Sequence, residues 1–90
     1  AMKRVDRVRV LGYADELGGI EYNLRLSLAR AETIRAYLIA RGVSAAAIRT
    51  EGRGEADPIA SCENVASREA RIACLAPNRR VEIEVSGVLR

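Results

Sequence analysis

Val81-Glu82-Ile83-Glu84-Val85 alternates apolar and acidic residues without a break. That is the two-residue period of a strand with one face packed and the other in water. Val8-Arg9-Val10-Leu11, ending at Gly12, reads as a shorter strand, and Ile48-Arg49-Thr50-Glu51, closing at Gly52, as another. Between these two the period changes. From Leu26 to Arg41 the apolar residues Ala31, Ile34 and Leu38 recur at three and four, Ser27 stands where an N-cap belongs, and Gly42 supplies a left-handed stop. Asn64 is placed to cap a shorter helix running to about Leu75, with Val65, Ile72 and Leu75 as its stripe and Pro77 as its end. Gly18-Gly19 mark one loop; Gly54, Asp57, Pro58 and Ser61 mark another over residues 53–63. The predicted order is strand, helix, strand, short helix, strand, an α/β arrangement of helices on one sheet. Three strands make a thin sheet.

Parity separates two neighbouring arginines. Arg79 shares the side of Val81, Ile83 and Val85, so it needs a partner, either a ligand carboxylate or an internal acid. Arg80 shares the side of Glu82 and Glu84 and is expected to be a solvated cross-strand partner for acids. With Ser27 as the cap, Arg30 falls in the first helical turn, where the dipole disfavours a cation by up to ~1 kcal/mol. Free backbone N–H groups there would join its guanidinium in an anion site, and a guanidinium grips a carboxylate with two parallel hydrogen bonds. The other reading is a solvated helix arginine. Asp15, after Gly12-Tyr13-Ala14, is open to two readings, a turn stabiliser or a cation contact. Asn23 either caps the helix or orients ligand or loop. Tyr13 and Tyr22 flank this region and read as packing residues.

Composition narrows the function. Ninety residues suffice for one domain, and 49% hydrophobic with 30% charged residues is a folding composition. The aromatics are three Tyr, with no Phe or Trp, so aliphatic residues carry the core. The net charge of +3 comes from 15 basic and 12 acidic residues scattered among one another. With almost no stacking aromatics, that argues against nucleic acid. There is no His, which removes the commonest general base and metal ligand. No glycine-rich phosphate loop appears, and nothing places acids such as Glu16 and Glu21 around a substrate, so the chain reads as a non-enzyme. No cofactor or metal is implied. No stretch approaches the ~20 apolar residues of a membrane span, and no signal peptide is visible. Cys62 and Cys74 fit no redox or zinc spacing. They are either two buried thiols of a cytosolic domain or a disulfide closing a short loop. The latter would contribute ~3 kcal/mol and imply an oxidising compartment.

Five motifs in order carry a resemblance: Gly12-Tyr13-Ala14-Asp15; Tyr22-Asn23, Leu26-Ser27 and Arg30-Ala31; Tyr37-Leu38 with Gly42-Val43; Gly52-x-Gly54-Glu55 with Pro58; and Asn78-Arg79-Arg80-Val81-Glu82-Ile83. Together, from about Val8 to Val85, they resemble the OmpA-like peptidoglycan-binding domains. Cys62 with Cys74-Leu75-Ala76-Pro77 is similar to the enterobacterial outer membrane protein A subgroup, whose members join these cysteines. Ala14 departs from the usual Thr, and Leu28-Ala29 from the usual polar pair. The family's first strand and helix have no counterpart before Val8.

The resemblance implies an OmpA-like fold with one mixed sheet, here lacking that strand and helix. It implies non-covalent binding of peptidoglycan through the diaminopimelate of the stem peptide, with Asp15 and Arg30 as the key residues. Asn23 and Arg79 are further candidates, and Cys62–Cys74 the disulfide. It implies the periplasm of a Gram-negative bacterium and attachment to the outer membrane through a part outside this chain. A second implication is an interaction module of a stator or secretion assembly with weak or no wall binding. The missing elements would leave a sheet edge open to another copy, hence a possible homo-oligomer.

Overall fold

The alternating segment at residues 81–85 is the first half of a longer strand. A computed structural model describes residues 2–89. Strand β1 is Met2–Gly12, helix α1 Ile20–Ala40, β2 Ile48–Gly52, α2 Arg68–Cys74 and β3 Val81–Leu89, with 3₁₀ turns at Ala45–Ala47 and Ala76–Asn78. The element order is therefore the expected one, and the fold is α+β with both helices on one mixed sheet. The sheet order is β2-β1-β3. β1 and β2 are parallel from Val8 beside Ile48 to Gly12 beside Gly52. β1 and β3 are antiparallel and extend well beyond β2, through two irregularities in register. This ribbon explains why β1 begins at Met2 instead of Val8, and β3 ends at Leu89 instead of Val85: backbone pairing continues after the side-chain alternation lapses.

Helix α1 crosses between the parallel strands and packs on both. Val8, Val10, Ile48 and Ala31 form the centre of the core, with Ile34, Leu38, Val43 and Val81 against them. Its seat is set by two glycines that lie side by side in the sheet, Gly12 and Gly52. A Cβ on Gly12 would lie 1.9 Å from the Ser27 carbonyl oxygen, and one on Gly52 would lie 2.7 Å from the Leu28 amide nitrogen. Only a strand end without side chains lets the helix backbone come this close.

The start of α1 is corrected by the structure. Gly19 is the N-cap and Ile20 the first helical residue. Ser27 lies two turns inside and is fully buried, its hydroxyl donating to the Leu24 carbonyl and accepting from the Gly54 N–H, both at 2.9 Å. The helix end is as read, with Gly42 at φ 101°. Ser67, whose hydroxyl accepts from the Ala70 N–H, caps α2 in place of Asn64.

The apolar face of β3 is also not the packed face expected of it. Ile83 and Val85 are each 49% exposed. Their neighbours across β1 are Val10 and Val8, so they point to the helix side. α1, however, lies over β1 and β2, and β3 is a sheet edge beyond its reach. On the opposite face Arg9 spans the sheet, 2.7 Å from Glu84 on β3 and 3.5 Å from Glu51 on β2.

Candidate functional site

Past Gly12 the chain leaves the sheet but stays pinned on both sides. The Tyr13 N–H donates to the Arg80 carbonyl at 2.8 Å, and the Ala14 N–H to the Gly54 carbonyl at 2.7 Å. Asp15 is thereby delivered, buried, to the floor of a cleft of about 300 Å³ lined by Ala14, Asp15, Glu16, Glu55, Pro58 and Asn78. One carboxylate oxygen accepts the Leu17 N–H at 3.0 Å, and the other accepts from Arg79 Nη1 at 2.6 Å. A turn stabiliser and a buried anion are thus the same residue.

Asn23 is fully buried inside α1, and its amide donates to the Asp15 carbonyl at 3.0 Å. It is not a cap; it ties the Asp15 loop to the helix. Arg30 stands in the third turn of α1, so no free helix-end amides surround it, and the anion site expected at a helix start is not formed there. The cause is the eight residues by which the helix begins early, capped at Gly19 instead of Ser27. Arg30 nevertheless reaches the same loop, with Nη1 donating a long bond of 3.4 Å to the Tyr13 carbonyl.

Arg79 finds its partner in an internal acid, Asp15, and the same Nη1 also donates to the Ile72 carbonyl of α2 at 3.1 Å. Arg80 is neither solvated nor a cross-strand partner. Its guanidinium lies 3.8 Å over the Tyr13 ring and donates to Glu82, two residues on, and to the Asp57 carbonyl. Strand parity fails at Arg80 because β3 begins at Val81, and residues 76–78 before it are a 3₁₀ turn. Arg9 makes the cross-strand pair with Glu84 instead. Tyr13 is buried as expected, whereas Tyr22 is 56% exposed and is not a packing residue.

Sequence reasoning gave no role to Asn78, which holds the cleft wall. Its side-chain oxygen accepts the Ile59 and Ala60 N–H groups at 2.7 and 2.8 Å, and its amide donates to the Ala60 carbonyl. The only signal was its place at the head of the Asn78-Arg79-Arg80 motif. Glu16 at the cleft rim is paired with Arg71 of α2 at 2.9 Å. Nearby, a hydrogen bond to Glu51 holds the Arg53 guanidinium pKa above its ordinary value. Cys62 and Cys74 are joined in a disulfide.

The family model for the OmpA family matches residues 1–71. Outer membrane protein A of Shimwellia blattae is 51% identical over 83 residues, covering 90% of this chain and 34% of that protein. Outer membrane protein P5 of Haemophilus influenzae is 48% identical over 83 residues, covering 90% of this chain and 24% of that protein. The chain thus spans about a quarter to about a third of the length of these relatives. Among solved structures, the peptidoglycan-associated lipoprotein from Burkholderia pseudomallei superposes with a TM-score of 0.72 at 32% identity, covering 89% of this chain and 62% of that one. The C-terminal domain of Helicobacter pylori MotB also gives 0.72, at 27% identity over 93% of this chain and 59% of that one.

Proposed function

The chain belongs to the OmpA family, and from that premise we propose that it binds peptidoglycan non-covalently through the diaminopimelate of the stem peptide. The observation that carries the reading is the buried Asp15 carboxylate at the floor of the cleft, with Arg30 bonded to the same loop. The free end of diaminopimelate bears an ammonium and a carboxylate on one carbon, and needs a fixed anion and a fixed cation close together. Asp15 supplies the anion. A carboxylate has about four lone-pair sites, and among the described residues two hydrogen bonds to the Asp15 carboxylate are seen, from Leu17 and Arg79. An arriving ammonium can add to these without displacing either. Arg30, on a rigid helix, supplies the fork for the ligand carboxylate. Asn23 and Arg79 hold Asp15 in place.

The role is that of a binding module that anchors an envelope protein to the wall, not a catalyst. A similar structure is titled a peptidoglycan-associated lipoprotein, and the similar curated proteins are named outer membrane proteins, which supports a periplasmic setting at the outer membrane. The disulfide suits that compartment. Attachment to the membrane would lie in parts of the protein outside these residues, and the free edge of β3 offers a route to self-association. Co-sedimentation with purified sacculi tests the function. Binding is expected to diaminopimelate-containing walls and not to walls with lysine at that position, because lysine lacks the distal carboxylate. Equal binding to both would reject the assignment of the ligand. Binding to neither would leave the interaction-module reading.

A further inference from the structure

α2 touches the proposed site at two points while having little to hold it. It is seven residues long, and none of them is buried. A helix of that length does not persist by itself in water. Yet its Arg71 pairs with Glu16, the residue after Asp15, and its Ile72 carbonyl accepts from the same Arg79 Nη1 that grips the Asp15 carboxylate. Two features next to α2 fix it. Leu75, immediately after it, is fully buried. Cys74, its last residue, is bonded to the buried Cys62. Cys62 in turn follows Ile59 and Ala60, which Asn78 pins with three hydrogen bonds. Leu75 gives α2 an apolar anchor but not an orientation; the second attachment, through sulfur, supplies that.

We infer that Arg79 and α2, clamped by the Cys62–Cys74 disulfide, form a brace that sets Asp15 in its binding pose, so that the disulfide governs ligand affinity without touching the ligand. Arg79 is then a positioning residue. Cutting the disulfide lets α2 swing about Leu75, the Ile72 carbonyl leaves Arg79, and the guanidinium is free to turn away from Asp15. The effect on wall binding rests on Asp15 being the ammonium contact; the brace itself does not, and the two are tested separately.

The test compares the oxidised chain, the chain reduced and alkylated, and Arg79→Met and Arg79→Lys in the oxidised chain. The first readout needs no ligand: hydrogen exchange of the Leu17 amide, which donates to Asp15. Its protection should fall by roughly tenfold on reduction and in Arg79→Met, the low end of what losing a hydrogen bond to a charged group costs. It should recover in part in Arg79→Lys, whose ammonium can still donate to both oxygens. Amides of β1 should be unchanged, showing that the body remains folded. The second readout is co-sedimentation with diaminopimelate sacculi, where the apparent affinity should fall by the same roughly tenfold factor in parallel. A reduced protein with intact β1 protection and unchanged Leu17 protection would overturn the brace. If Leu17 responds as expected but sacculus binding does not follow it, Asp15 is not the ammonium contact, and the proposed function fails while the brace stands.

Discussion

Replacing Ser27 by Ala and by Asp separates two accounts of one residue. A helix cap at Ser27 would lose about 0.5–2 kcal/mol with Ala and almost nothing with Asp, which is an equally good cap. The structure dictates a different pattern. The Ser27 hydroxyl is fully buried and is the acceptor for the Gly54 N–H, at 2.9 Å. Gly54 is buried as well, and its carbonyl receives the Ala14 N–H beside the cleft. Ala at position 27 leaves a buried amide without an acceptor, which costs about 1–3 kcal/mol. The bond to the Leu24 carbonyl adds little, because a mid-helix carbonyl has its ladder partner. For a domain of this size that loss lowers Tm by roughly 5–15 °C. Asp at position 27 is worse: an unpaired carboxylate enters the space between α1 and the strand ends, at a cost of at least ~3 kcal/mol. Urea unfolding of the oxidised protein, with midpoints and slopes fitted for all three chains, measures both. Ser27→Asp within ~0.5 kcal/mol of the parent, the usual range of a harmless surface change, would refute the buried-bridge account.

Three further outcomes are expected. Asp15→Ala and Arg30→Ala should each abolish sacculus binding in protein that still melts cooperatively, a loss of roughly 2–5 kcal/mol for a desolvated charge contact; retained binding by either folded variant counts against the site. Gly12→Ala should destabilise by about 1–3 kcal/mol or more, because the new methyl meets helix backbone and not a movable side chain; a neutral result in urea unfolding would mean α1 does not sit on that strand end. The chain should self-associate with rising concentration through β3, as an open edge beside exposed Ile83 and Val85 invites. Val85→Lys should suppress this in light scattering, and a parent chain that stays monomeric at high concentration would disprove it.

The legibility of the chain varied with how much of each signal was local. The β3 alternation, the strand ends at Gly12 and Gly52 and the helix stop at Gly42 are local, and all three appear where expected. The beginning of α1 is not legible because its inward positions are Asn23 and Ser27, buried through hydrogen bonds, while Leu24 and Leu28 remain more than 40% exposed. A search for apolar periodicity therefore starts the helix too late, and that error carried Arg30 into the wrong turn. The need of Arg79 for a partner was readable from charge beside an apolar strand face. The partner, Asp15, was not, since 64 residues separate them and only the packing of loop against turn brings them together. Arg80 escapes the pattern for a related reason: strand alternation does not reach back to residues that are not yet strand. Of the site itself, Asp15 and Arg30 were legible as candidates from their chemistry, each with a bland alternative that only the motifs weighed against, and Asn78 had no chemical signature until its two backbone partners were seen.

The arginine that spans the sheet has a consequence unrelated to bond strength. Arg9 and its two acids, Glu51 and Glu84, are each more than two-fifths exposed, so these ion pairs contribute little to stability. Their value is informational. The three residues belong to three adjacent strands, one parallel pair and one antiparallel. Slipping β1 by a single residue would turn Arg9 toward Val43 and Ala31 beneath α1 and send Val8 and Val10 out to water. A charge there would leave both of its present acids on the far face, and its burial would cost several kcal/mol. The triad thus works as a parity check on strand alignment: it is nearly free of energy when the sheet is assembled correctly and prohibitive when it is assembled one step out of phase.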